Sequence, residues 1–367
     1  MQAIALKPGT TDLHLAERPE PAIGAPDEVK LQIVRVGICG TDREEADGGR
    51  ARAPDGQPDL VIGHEMLGRV VAVGADVRRV KVGDYAVFTV RRGCDKCRPC
   101  LINRSDMCRT GEYRERGIWG LDGYQAEYAV DQEQYVVRVP PELAPVGVLA
   151  EPLSVAEKAI DEAVRLQGAR LPAALATPNW LHGRRCLVAG LGPIGLLAAL
   201  ALMLRGAEVL GLDIVEPDSA RPRWLEAIGG RYVDGRAIGP MHIDDVFGAV
   251  DLIVEAAGVP SLTFSLLDAL GLDGAYVVTG IPGGDKTIQI PGAELLRKLV
   301  LANQVMFGSV NASRDHFQMA VDDLAQAQAR WGDHVAQLIT HRHPFADFAQ
   351  ALRGHADDEI KVVIEWG

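Results

Sequence analysis

The chain has 367 residues, of which 47 % are hydrophobic and 24 % charged, with a formal net charge of −12. That length suggests two domains, and the composition is that of a globular protein with a large core. The acidic balance argues against nucleic acid or an anionic membrane surface as a nonspecific partner.

The start, Met1-Gln2-Ala3-Ile4-Ala5-Leu6-Lys7-Pro8, has no basic region followed by a long apolar run. No signal peptide is therefore expected, and a cytoplasmic, reducing compartment fits. Polar and apolar residues alternate over 28–36, which predicts a half-buried strand. Residues 67–74 and 84–90 read as further strands, with glycines and prolines marking the turns between them. Among these strands lie Gly37-Ile38-Cys39-Gly40-Thr41-Asp42 and Val61-Ile62-Gly63-His64-Glu65. Cysteine and histidine are good zinc ligands, and Glu151 in Ala150-Glu151-Pro152 could add a carboxylate. Catalytic zinc takes three protein ligands plus water or substrate. On local spacing alone, a buried structural cysteine and a lone histidine are the commoner reading.

Four of the six cysteines then fall in one short stretch: Cys94, Cys97, Cys100 and Cys108, spaced C-x2-C-x2-C-x7-C. Four thiolates on such a loop can close a tetrahedral shell around zinc. Two disulfides, or four unrelated core cysteines, are the alternatives. Disulfides fit poorly with a chain that nothing marks as secreted. A shell closed by four cysteines leaves no open position for substrate, so this motif signals metal without locating chemistry.

A helix is expected over 151–167 and a loop over 168–182 (Gly168, Pro172, Thr177, Pro178). From Arg185 the texture changes to apolar strands alternating with helical segments, which predicts a parallel sheet with helices on both faces. The apolar stretch 186–204 is broken by glycines and a proline and reads as strand, turn and helix, not as a membrane span. Within it stands Gly190-Leu191-Gly192-Pro193-Ile194-Gly195. Gly190 permits the tight turn, Gly192 lets the backbone approach a pyrophosphate, and Gly195 lets the helix pack on the strand. The phosphates would meet the helix N-terminus. The next strand ends in Asp213, placed to accept hydrogen bonds from the adenosine ribose and to repel a 2′-phosphate. The expected cofactor is therefore NAD, with NADP possible because Arg221 and Arg223 follow. A helix is expected after about 320, then a final strand over 359–365 that rejoins the first domain's sheet. His182, His242, His316, His334, His341, His343 and His355 have no ligand spacing and read as surface or packing residues.

Taken together, these elements resemble the medium-chain, zinc-dependent dehydrogenases of the alcohol dehydrogenase superfamily. The resemblance rests on Gly37–Asp42, Gly63-His64-Glu65, the four-cysteine lobe and Gly190–Gly195. Within that superfamily the chain is most similar to the archaeal-type glucose 1-dehydrogenases. The finer match is carried by Cys39-Gly40-Thr41-Asp42-Arg43-Glu44, Arg91-Arg92-Gly93-Cys94, Thr110-Gly111-Glu112-Tyr113, Glu151-Pro152-Leu153 with Glu157-Lys158, Gly308-Ser309-Val310-Asn311 with His316-Phe317, and Glu359-Ile360-Lys361.

The resemblance implies an α/β chain in three stretches. Residues 1–184 would form a mostly-β, GroES-like catalytic domain with a structural-zinc lobe at about 92–109. Residues 185–320 would form a Rossmann domain with a doubly wound parallel sheet, and 321–367 would return to the catalytic domain. It implies two zinc ions per chain, a catalytic one at Cys39, His64, Glu65 and Glu151 and a structural one at the four clustered cysteines. Sugar contacts are implied at Thr41, Thr89, Glu115, Glu151 and Asn311. Cofactor contacts are implied at Gly190, Gly192, Pro193, Ile194, Gly195, Asp213, Gly280, Ile281, Ser309, Asn311 and Lys361. Catalytic roles are implied for Cys39, Thr41, His64, Glu65 and Glu151.

Two departures stand out. Ser154 replaces an acidic residue of some relatives, and Ile214 and Val215 stand where NADP-accepting relatives carry basic residues. The implied reaction is oxidation of an aldose such as glucose, galactose or xylose at C1 to the lactone. The alternatives are a polyol, simple alcohol or amino-alcohol dehydrogenase, or a nucleotide-binding relative that lost catalytic zinc. The family suggests a homodimer or homotetramer.

Overall fold

The alternation that begins at residue 28 sets a strand, Glu28–Ile38, whose Val29, Leu31 and Ile33 are buried while Gln32 faces solvent. The computed structural model describes residues 1–171, 180–284 and 287–367. Pro172, Thr177 and Pro178 of the expected loop lie outside them. The chain divides into two units, residues 1–154, 311–325 and 335–367, and residues 155–310 and 326–334. The division falls inside the helix Ala150–Arg170, which continues through Gly168, where a loop was expected.

In the first unit, Glu28–Ile38 pairs antiparallel with Glu65–Val73 and with Tyr128–Gln132. It also pairs with Lys361–Glu365, so the final strand does rejoin the first sheet. The full order is Val136–Val139, Tyr85–Phe88, Glu65–Val73, Glu28–Ile38, Lys361–Glu365, Ile339–Pro344. A small separate sheet joins Arg91–Arg92, Arg114–Arg116 and Gly120–Leu121. It is pinned by a buried charge cluster. Asp131 Oδ2 accepts from Arg92 Nη2 and Arg116 Nη2, each at 2.6 Å. Burial opposes the charge on Asp131, but the two guanidinium groups outweigh it and hold the carboxyl well below the usual carboxylate range.

In the second unit the strands form a parallel sheet in the order Arg231–Asp234, Glu208–Asp213, Arg185–Ala189, Val250–Glu255, Leu270–Val278, Val305–Gly308. The strand order reverses beside Arg185–Ala189, the place where doubly wound sheets open a ligand crevice. Leu187, Leu210, Ile253 and Tyr276 form part of the core on this sheet. The apolar stretch resolves into strand Arg185–Ala189 and the almost wholly buried helix Pro193–Leu204. Among the described residues no helix is long and apolar enough to cross a membrane.

The helix expected after 320 begins earlier, as Arg314–Trp331. Ser313 starts it: its hydroxyl meets His316 Nδ1 at 3.0 Å, and its carbonyl accepts from Phe317 N. That capping arrangement accounts for His316 as a packing residue.

Candidate metal and dinucleotide sites

Cys39 ends the strand Glu28–Ile38 and caps the helix Gly40–Ala46. Its Sγ accepts from Thr41 N at 3.2 Å, and Asp42 Oδ2 accepts from Cys39 N at 2.9 Å. The other oxygen of Asp42 lies 3.4 Å from His64 Nδ1. That contact aims the opposite ring nitrogen, Nε2, at Cys39 Sγ, 3.2 Å away. A carboxylate behind a histidine is the usual support for a metal ligand.

Glu65 opens the next strand directly opposite Gly37. A Cβ on Gly37 would stand 2.1 Å from Glu65 Oε2, so the glycine makes room for the carboxylate. Lys361, from the C-terminal strand, donates to Glu65 Oε1 at 2.6 Å and to the Ile38 carbonyl at 2.9 Å, and is itself buried. One donor atom each from Cys39, His64 and Glu65 falls within 4.8 Å of the others. A thiol, an imidazole and a carboxylate converging in this way fit zinc.

Glu151 stands outside that convergence, buried at the start of Ala150–Arg170. Burial pushes its carboxyl up to about 7, with His64 pulling it down and Glu65 pushing it up. Burial opposes the charge on His64, yet Cys39 and Asp42 hold its pKa well above the ordinary value. Burial also pushes the Cys39 thiol up, against the pull of His64. A metal entering here would displace protons from both ligands.

The second grouping is Cys94, Cys97, Cys100 and Cys108, all free thiols. Cys94 and Cys100 sulfurs lie 3.9 Å apart, and Cys97 and Cys100 sulfurs 3.4 Å. A tetrahedron with Zn–S bonds of about 2.3 Å has edges of about 3.8 Å, so the spacing suits one metal ion and no disulfide. Backbone N–H groups of Cys97 and Arg109 already point at Cys94 and Cys97 sulfurs, at 3.3 and 3.5 Å. The Thr110 hydroxyl draws the Cys94 thiol down to about 6, which favours the thiolate a metal needs.

Of the expected sugar contacts, the first unit brings Glu115 and Asn311 together, with Asn311 Nδ2 donating to Glu115 Oε1 at 2.9 Å. Thr41 follows Cys39 on the capped helix. Thr89 is engaged elsewhere: its hydroxyl accepts from Arg92 Nη1 at 3.2 Å.

In the second unit, Gly190, Gly192, Leu212, Asp213, Arg221 and Ala257 line a groove of about 460 Å³. The fingerprint glycines have the expected constraints. Gly190 has φ 88°, and a Cβ on Gly195 would stand 1.8 Å from the Gly190 carbonyl oxygen. Gly192 precedes Pro193 and Ile194 at the helix N-terminus. Asp213 Oδ2 accepts from Leu191 N at 2.7 Å, and Arg221 Nη1 lies 4.0 Å from the same oxygen. Gly280 and Ile281 pack on Gly258, beside the groove wall. Ser309 follows the strand Val305–Gly308, its hydroxyl buried without a hydrogen-bond partner among the described residues. Asn311 and Lys361 belong to the first unit, at Glu115 and Glu65 respectively. Sequence reasoning gave no role to Asp42, to Arg91, or to Glu255, whose Oε1 accepts from Ala257 N and Gly258 N at the groove wall. The Cys39–Asp42 spacing of a capping box was the available signal for the first.

A GroES-like unit with two clusters of side chains that could hold metal, together with a Rossmann sheet, defines a zinc-dependent medium-chain dehydrogenase. Residues 25–141 match the alcohol dehydrogenase GroES-like domain, and 144–366 match the glucose dehydrogenase C-terminus. The chain belongs to the glucose dehydrogenase family. It is 39 % identical to glucose 1-dehydrogenase 2 of Vulcanisaeta moutnovskia, covering 100 % of this chain and 99 % of that protein. It is 38 % identical to glucose 1-dehydrogenase of Thermoproteus tenax, with the same coverage. The solved structure of Haloferax mediterranei glucose dehydrogenase in complex with NADP, zinc and gluconolactone matches with a TM-score of 0.88. Its sequence is 31 % identical, and the match covers 100 % of this chain and 99 % of that one.

Proposed function

We propose that this protein oxidises an aldose, glucose or a close relative such as galactose or xylose, at C1 to the lactone. The observation that carries the reading is the convergence of Cys39, His64 and Glu65 in a chain that matches glucose dehydrogenases along its whole length. Zinc supplies Lewis acidity toward the C1 hydroxyl oxygen, and the nicotinamide supplies the hydride acceptor. Cys39, His64 and Glu65, with Glu151 as the alternative carboxylate, would hold the catalytic ion. Cys94, Cys97, Cys100 and Cys108 would hold a second, structural one.

The protein's own groups do the rest. Asp42 fixes the His64 ring, and Lys361 holds Glu65 in place. Thr41 is the proposed exit for the hydroxyl proton, with Glu65 or Glu151 as acceptor. Glu115 and Asn311 meet sugar hydroxyls, and a site that pairs those hydroxyls discriminates strongly against analogues lacking them. The groove at Gly190–Gly195 takes the dinucleotide. NAD is the proposed preference because Asp213 opposes a 2′-phosphate, and Arg221 beside it leaves room for NADP. A reducing, cytoplasmic setting belongs to the same reading, since it takes the clustered cysteines as metal ligands and not as disulfides. The edge strand Val305–Gly308 and the exposed Leu296, Val300 and Leu301 support assembly into a homodimer or homotetramer.

The test is a substrate panel of aldoses, sorbitol, threonine and simple alcohols with NAD and with NADP, followed by reduced-cofactor absorbance. Turnover of aldoses to lactone is expected, faster with NAD. Strong activity on sorbitol or threonine with none on aldoses would sink the sugar reading.

A further inference from the structure

Arg91 has no part in the chemistry above, yet nearly every polar atom it carries is committed. Its side chain is 9 % exposed, as is that of Glu115. Nε and Nη2 donate to Glu115 Oε1 at 3.1 and 2.9 Å. Nη1 donates to the Asp106 carbonyl at 2.8 Å, and the guanidinium lies 4.0 Å from the Tyr113 ring centre. The Arg91 carbonyl accepts from the Ser105 hydroxyl at 3.1 Å. Strand pairing sets Arg91 directly opposite Glu115, while Arg92, next along the strand, goes to Asp131.

Asn311 completes the arrangement. Its φ of 62° and the bond from Ala312 N to its Oδ1 fix the amide so that Nδ2 reaches the same Glu115 oxygen. Three N–H groups therefore converge on Oε1, and Oε2 accepts from none of the described residues. A carboxylate saturated on one oxygen is held in a single orientation and presents the other as an acceptor.

Away from Glu115 and the Tyr113 ring, Arg91 Nη1 and the Arg91 carbonyl both bond to the turn Ser105–Met107, which leads directly into Cys108, the last cysteine of the four-cysteine lobe. A shift of that turn moves Asp106 O and the Ser105 hydroxyl, and with them both ends of Arg91.

We propose that Arg91 is the positioning residue for Glu115 and couples the four-cysteine lobe to sugar affinity. The inference rests on Glu115 as a sugar contact. The experiment compares Arg91→Gln, Arg91→Lys, Glu115→Gln, Ser105→Ala and the Arg91→Gln/Glu115→Gln double variant as purified holoenzymes. It measures KM for glucose and for NAD, kcat, and gluconolactone affinity by calorimetry. Arg91→Gln raises the sugar KM and the lactone Kd by roughly ten- to a hundredfold, the scale of lost charge-assisted bonds, with the NAD KM within about twofold. Arg91→Lys restores part of the affinity, because a lysine supplies the charge without the fork. Ser105→Ala, which touches neither ligand nor metal, raises the sugar KM by about threefold. The double variant is no worse than the poorer single one, as expected for residues acting through one contact.

Sugar KM and Kd unchanged in both Arg91 variants, with Glu115→Gln impaired, would overturn the role of Arg91; additive effects in the double variant would do the same. A neutral Ser105→Ala would overturn the coupling to the lobe. An unchanged Glu115→Gln would remove the sugar reading of Glu115, and this inference with it.

Discussion

The two candidate metal groupings of the GroES-like unit are built on opposite plans. The lobe takes its four sulfurs from one short stretch, half-exposed, with backbone N–H groups and Thr110 as support. The Cys39 grouping takes a sulfur, an imidazole and a carboxylate from separate elements. It buries His64 and Glu65 almost completely and rests on Asp42 and Lys361. A local shell of like donors needs little from the fold, because the metal itself supplies much of its folding energy. A buried shell of unlike donors needs the whole sheet in place, since each ionised group must already have its partner.

The sharpest break between the two should appear on swapping one sulfur in each. Cys39→Ser is expected to lower kcat by at least about a thousandfold, because the metal's stabilisation of charge is worth several kcal/mol. The thermal unfolding midpoint should stay close to that of the parent. Cys97→Ser should lower that midpoint by more than about 10 °C and reduce bound zinc from about two ions to about one per chain. Remaining folded molecules should still turn over. Metal analysis with calorimetry reads both, and a Cys97→Ser protein of undiminished stability would end the distinction.

Next in size is Lys361→Met, which strands the Glu65 carboxylate in the core. A loss of about 3–5 kcal/mol in chemical denaturation is expected, the scale for breaking a buried pair. The exposed charges of the lobe should cost far less. The Lys96–Glu112 pair is exposed on both sides, and Lys96→Met should be close to silent.

The smallest effect concerns Glu45, on the helix that Cys39 caps. Neither of its carboxylate oxygens has a hydrogen-bond partner among the described residues, and burial, with Asp42 adding to it, pushes the carboxyl up to about 9. The folded protein keeps this proton, while the unfolded chain releases it above about 4.5. Stability therefore declines as pH rises from about 4.5 towards 9. Glu45→Gln should flatten that slope, raising the melting temperature by a few degrees at pH 8 and leaving it unchanged at pH 4.5. A parallel pair of pH–stability curves would count against it.

What was legible in the sequence follows the same division. The lobe could be read outright because its spacing is local. The dinucleotide fingerprint could be read because strand, glycines and Asp213 follow one another. Cys39 and His64 became a site only through the family resemblance, since nothing across their separation of 25 positions says that their atoms meet. Gly37 gave no hint that its missing Cβ makes room for Glu65. The change in texture at Arg185 marks where the parallel sheet starts, whereas the contacts divide earlier, inside a continuous helix. Ile339–Pro344 and Arg231–Asp234 escaped notice because histidines, arginines and prolines blur their alternation.

The Glu65–Lys361 pair also has a meaning in time. Its two halves are 296 positions apart, which at typical translation speeds separates their synthesis by roughly 15–60 s. Throughout that interval the nascent sheet lacks the strand that pairs with Glu28–Ile38, and Glu65 lacks its counter-ion. The ribosome thus releases the key to the site long after the donors it orders, and a polypeptide cut short before Lys361 carries Cys39, His64 and Glu65 without the means to keep them in place.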